Sequence, residues 1–132
     1  MKRKFILAAV TAVLVIAAGL IPVFALDAYV TVIYREVDVA FVDKSEKELD
    51  KVLGTNNEDK NYYLVENYTM KKIRRLIVDE DYKFASQATL VVIDNNLDNM
   101  EAVDLYATIS SALEKQQEQE LALEQKRQAD LA

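Results

Sequence analysis

DKNYYLVENYTMKKIRRLIVDEDYKFASQATLVVIDNNLDNMEAVDLYATISSAL, residues 59–113, is the stretch that decides the fold. Its apolar residues recur at the 3.6-residue period of an amphipathic helix, and its polar breaks fall at turn-forming residues. Tyr62, Val65, Thr69, Ile73 and Leu76 mark one helix, which Asp59 can cap and which runs to about Val78. Asp79-Glu80-Asp81 closes it. Tyr82, Ala85, Thr89, Val92 and Ile93 mark the next. Residues 94–99 form a second break, where Asp98 or Asn99 can cap a further helix carrying Ala102, Leu105, Tyr106, Ile109 and Leu113.

Outward from this core the pattern changes on both sides. From Glu114 to Glu120 there is no apolar residue, and only Leu121, Leu123 and Leu131 follow as large ones. Helix formers dominate throughout, so residues 114–132 are expected as a polar, Glu/Gln-rich helical tail running on from the last helix. On the other side, residues 26–54 give two signals. Val30, Thr31, Val32, Ile33, Val37, Val39 and Val42 favour strand by their β-branching. The spacing of Leu26, Tyr29, Val30, Ile33, Tyr34, Val37, Ala40 and Phe41 favours helix, which is the reading preferred. Ser45-Glu46-Lys47-Glu48 matches a capping box, so a helix can start afresh there. Gly54 is expected to end it.

The start of the chain reads as an address. Met1-Lys2-Arg3-Lys4 is cationic, Phe5 to Ile21 is apolar but for Thr11 and Gly19, and Pro22 precedes Val23-Phe24-Ala25. These are the three parts of a secretory signal, with cleavage expected before Leu26. The alternative is an uncleaved anchor, since residues 5–26 are long enough to cross a bilayer. Either way the remainder is expected outside the cytoplasm, in the periplasm or on the outer face of the envelope.

Composition removes several function classes. The chain has 132 residues, which is room for one domain. It has no Cys and no His, so thiolate metal sites, disulfides and the His-dependent catalytic triads and dyads are out of reach. Two glycines cannot build a glycine-rich phosphate loop. The net charge is −6, and losing Lys2, Arg3 and Lys4 with the leader takes it to −9, which disfavours a nucleic-acid partner. Asp94, Asn96 and Asp98 fit the start of a calcium loop, but Leu105 stands where the closing Glu must be, so they read as turn and capping residues. Ser110-Ser111 with Lys115 is ordinary helix spacing rather than a Ser-Lys nucleophile. No catalytic, cofactor-binding or metal residues are assigned, and a non-enzyme is expected.

Two features suit partner binding. Lys71-Lys72 and Arg74-Arg75 make a basic cluster, which is either a docking site for an anionic partner or a solvated face balancing nearby acids. Tyr62, Tyr63 and Tyr68 bring large area with a polar tip, which suits either a binding face or a core rim. The expected partner is another protein or a second copy, with membrane contact only through residues 5–26 if they are retained.

Asp81-Tyr82-Lys83-Phe84-Ala85 and Leu97-Asp98-Asn99-Met100-Glu101-Ala102 resemble the tetratricopeptide repeat over residues 76–105. The resemblance implies an all-α fold with a helical hairpin. Tyr82 would pack between paired helices, and Ala85 and Ala102 would let helices approach closely. Glu80 stands where the family prefers Gly, Leu97 replaces its helix-ending proline, and Ile73 and Val92 occupy positions that are usually small. A single hairpin cannot bury its apolar faces alone. The first segment must therefore fold over it, or another chain must cover it. The expectation is an exported helical interaction or scaffold module, or alternatively a membrane-anchored tether.

Overall fold

A computed structural model describes residues 28–131. The expected leader or anchor, residues 1–25, and the whole of the candidate membrane stretch 5–26 lie outside them. Among the described residues there are helices and turns but no strand, so the fold class is all-α. No described helix is long and apolar enough to cross a membrane. The helices are α1 (28–42), α2 (Glu46–Asn56), α3 (Tyr62–Val78), α4 (Tyr82–Asn95) and α5 (Met100–Leu131). The chain divides into two compact units, 1–35 and 36–132. In the first, the described residues 28–35 are helical. The second holds α2 to α5 and the end of α1.

The ambiguous segment 26–54 is helix where it is described, broken at residues 43–45. Ser45 caps α2 by accepting a hydrogen bond from the Glu48 N–H at 3.1 Å. That is the first half of a capping box, so the chain turns there instead of continuing straight. Gly54 does not end α2. The helix runs on to Asn56, and no described glycine takes a left-handed conformation. The Thr55 hydroxyl and the Asn56 amide donate to the carbonyls of Lys51 and Val52, each at 2.7 Å. These bonds satisfy the last turn without a left-handed residue. Asp59 is not the cap residue of α3 either. Its carboxylate accepts from the Asn61 N–H at 2.8 Å, and Asn61 takes the capping position. Asn99 does cap α5, accepting from the Ala102 N–H at 3.0 Å.

α4 packs against α2, α3 and α5. Phe84, Ala85, Ala88, Thr89, Val91 and Val92 are all buried along it. Such wide burial on a short helix needs small residues, and Ala85 and Ala88 are fully enclosed. Thr69 and Thr89 are also fully buried; their hydroxyls bond back to the carbonyls of Val65 and Ala85, at 2.9 Å and 2.6 Å. The polar group is thereby satisfied inside its own helix. The first segment does fold over the hairpin: Val37, Ala40 and Phe41 are buried, and the Phe41 ring meets Phe84 edge-on at 5.4 Å.

Two turns of the chain are copies of one another, 36 residues apart. In the first, the N–H groups of Asp43, Lys44 and Ser45 donate to the carbonyls of Val39, Phe41 and Ala40. In the second, those of Asp79, Glu80 and Asp81 donate to Arg75, Ile77 and Leu76. Lys44 and Glu80 are left-handed at φ 49° and 59°. Ser45 and Asp81 each cap the following helix through a side-chain oxygen. The buried residues correspond too: Val37 with Ile73, Leu49 with Ala85, Val52 with Ala88, Leu53 with Thr89, Asn56 with Val92. The helix pairs on either side of these turns form an internal repeat, and α5 begins a third unit, with Ile109 again 36 residues after Ile73. Where the third turn would fall, at 115–117, the chain stays helical.

Glu80 pays a conformational penalty that glycine would not, because its Cβ crowds the backbone at positive φ. Its side chain is exposed and makes no ion pair among the described residues. Glu80→Gly should therefore stabilise the fold by about 1 kcal/mol, read as a higher urea midpoint with unchanged slope. A lower midpoint would show that the left-handed turn is not formed.

Candidate functional site

α1 and α3 meet through three polar side chains. The Tyr68 hydroxyl donates to the Asp38 Oδ1 at 2.6 Å, and the Lys72 ammonium pairs with the same oxygen at 2.9 Å. Lys72 also sits 5.3 Å from the centre of the Tyr68 ring, one turn earlier on α3. Burial pushes the Asp38 carboxyl up, but the hydrogen bonds from Lys72 and Tyr68 and the charge of Lys72 outweigh it and hold the group below its ordinary value. The bond to Asp38 raises Lys72 against the opposing effect of burial, and the same partner raises the Tyr68 hydroxyl.

The basic cluster is largely neutralised within the chain. Arg74 bonds Glu101 at the start of α5 at 2.8 Å, and Arg75 lies 3.5 Å from Asp79. With Lys72 on Asp38, three of the four cations face a carboxylate of their own. Lys71 is exposed and makes no ion pair among the described residues. The tyrosines separate. Tyr63 is 59% exposed, whereas Tyr62 is buried, so it cannot meet a partner directly. Burial, with the charge of Glu66 added, pushes the Tyr62 hydroxyl well above its ordinary value. Ala85 and Ala102 are fully enclosed, while Tyr82 is only half-buried at the first turn of α4.

A second cluster escaped the sequence reading. Glu66 on α3 accepts from the amide of Asn96 at 2.9 Å and 3.2 Å and from that of Asn99 at 3.0 Å. Asn95 extends it toward α2, donating to Asp50 at 3.2 Å and accepting from Asn57 at 3.1 Å. Asn96, which fits the start of a calcium loop in sequence, thus presents an amide donor to a carboxylate, and with Asn95 and Asn99 it pins the helix ends together. No group of three or more acidic residues able to hold a metal occurs among the described residues. The Asn95-Asn96…Asn99 run was the available signal, but capping alone accounts for such a run.

The least covered element is α5. It is 32 residues long, about 48 Å, yet only Ala102 and Ile109 are buried. Every residue from 117 to 131 is exposed. Leu97, Met100 and Val103 are exposed near its start. A shallow, open depression of about 500 Å³ on its flank is lined by Ala107, Thr108, Ser111, Ala112 and Lys115. Compared with family models, curated proteins and solved structures, the chain matches none.

Asp38 binds its proton less tightly in the folded chain than in the unfolded one, so its contribution is present above the ordinary carboxylate pKa and is lost as pH falls through the lowered value. Lys72 and Tyr68 are shifted upward, so their contributions hold below their ordinary values and are lost as pH rises through the raised ones. Asp38→Asn should cost less than about 1 kcal/mol near neutral pH, because water screens a pair this exposed. The difference from wild type in urea unfolding should vanish in acid and shrink in alkali. A difference independent of pH would show that the three groups do not interact.

Proposed function

We propose that this chain is an exported, non-catalytic helical module of the cell envelope that works by association with protein. The observation that carries the reading is α5, whose distal half stands on no other described element. A solitary helix of this length is marginal in water, so a sequence that spends so many residues on one has a use for its surface. Within that half, one hydrogen-bonded ion pair, Arg127 with Glu124, reinforces the helix. The 36-residue repeat supports a kinship with tetratricopeptide-type hairpins, although that family repeats every 34 residues. The left-handed Glu80 is in keeping with the glycine preferred there. The cationic start, apolar run and Val-Phe-Ala ending of residues 1–25 support export.

Two measurements on the full chain in a bacterial host test this reading. The intact mass of the product should show loss of residues 1–25 and the chain should be found outside the cytoplasm. A full-length product in the membrane fraction would instead favour the tethered form, and a cytoplasmic product would overturn export. A photo-reactive side chain at Glu124 should form protein adducts that the same group at Glu58 does not. Equal yields from the two positions would overturn association through α5.

A further inference from the structure

We propose that the outer flank of α5 is a self-complementary surface on which a second copy of this chain docks in antiparallel orientation. This rests on the association reading and names the partner.

Asp104, Thr108, Ser111 and Lys115 follow one another at steps of four, three and four residues. Such steps bring side chains onto one face of a helix. All four are exposed, and none belongs to an ion pair among the described residues. The steps are symmetric about the midpoint between Ile109 and Ser110. A two-fold axis through that midpoint sets Asp104 opposite the partner's Lys115, and Thr108 opposite the partner's Ser111. Symmetry makes each contact twice.

The charge order selects both occupant and direction. An acid at one end of the stripe and a base at the other find their complement in the same stripe reversed. A parallel pairing would set Asp104 against the partner's Asp104 and Lys115 against the partner's Lys115, which repels at both ends. A uniformly acidic or basic partner would satisfy one end and oppose the other. Close approach is open as well. Ala107 and Ala112 flank the stripe, and with Thr108, Ser111 and Lys115 they line the shallow depression on this flank. Nothing bulkier than a threonine lies between the two charged ends of the stripe, so the helix axes can come within about 8 Å.

In the repeat, α5 has no described helix after it. α3 is followed by a turn and by α4, which packs on it. α5 runs straight through the equivalent position, so no described helix returns over it. A contact made by one helix is small, and the dimer is expected to be weak, with a dissociation constant above about 1 μM.

Sedimentation equilibrium on the full chain, as recovered from the host, tests the pairing with Asp104→Lys, Lys115→Asp and the double swap. All positions are exposed, so helix content by circular dichroism should be unchanged. Each single swap should weaken the dimer about tenfold, since it turns attraction into repulsion at two symmetric places. The double swap should return the affinity to within about threefold of wild type. A dimer indifferent to the single swaps, or one that the double swap fails to restore, overturns the proposal. So does a chain that stays monomeric at every concentration; if that chain still forms the Glu124 adducts, the association reading stands with a different partner.

Discussion

The arrangement depends on α4 being narrow enough to be surrounded. Three helices pack against it, and its enclosed positions include Ala85, Ala88 and Thr89. A larger residue at Ala85 would push at least one neighbour away, because a filled interior has no slack for added methylenes. The buried threonine is tolerated because its hydroxyl is satisfied by its own helix. Larger groups such as Phe84 and Val92 then supply the apolar area. The fold of residues 36–113 follows from this one element: α2 and α3 cover two of its sides, α5 takes a third, and the Phe41–Phe84 contact brings in the end of α1.

Much of this was legible in the sequence. The period of 3.6 across residues 59–113 marks the helices, and the acidic and asparagine-rich breaks mark the turns. The all-α class follows from these. Gly54 misled because glycine near a helix end usually means a left-handed terminus. Here the left-handed positions went to Lys44 and Glu80, which carry no such signature. The repeat was hidden for a related reason. Val42-Asp43 with Lys47 and Val78-Asp79 with Lys83 preserve its turn, but the buried positions exchange Leu49 for Ala85 and Val52 for Ala88. Packing conserved which positions are inside, not which residues fill them.

The candidate interaction residues were harder to read, because a cation in sequence carries no sign of whether its own chain neutralises it. Lys72, Arg74 and Arg75 lie within a run that looks like a docking patch, yet Asp38, Glu101 and Asp79 reach them from other turns. Two of these carboxylates are more than 25 residues away along the chain. Long-range pairing of this kind follows from how packing around α4 places the other helices, and it has no local trace. The exposure of α5 is similarly a property of what fails to cover it. Its polar composition after Glu114 pointed to solvent, but the open flank between Asp104 and Lys115 appears only once the neighbouring helices are placed.

We propose that this chain has a packed repeat body and a third unit that no described helix closes, with the surface of that unit used for association. Amide hydrogen exchange on the dilute chain tests it most directly. Amides of α4 should exchange only through global opening, while those beyond Leu113 should exchange close to the rate of an isolated helix. Protection carried undiminished through Leu131 in a chain shown to be monomeric would contradict it, because the distal half of α5 would then be held by the chain itself.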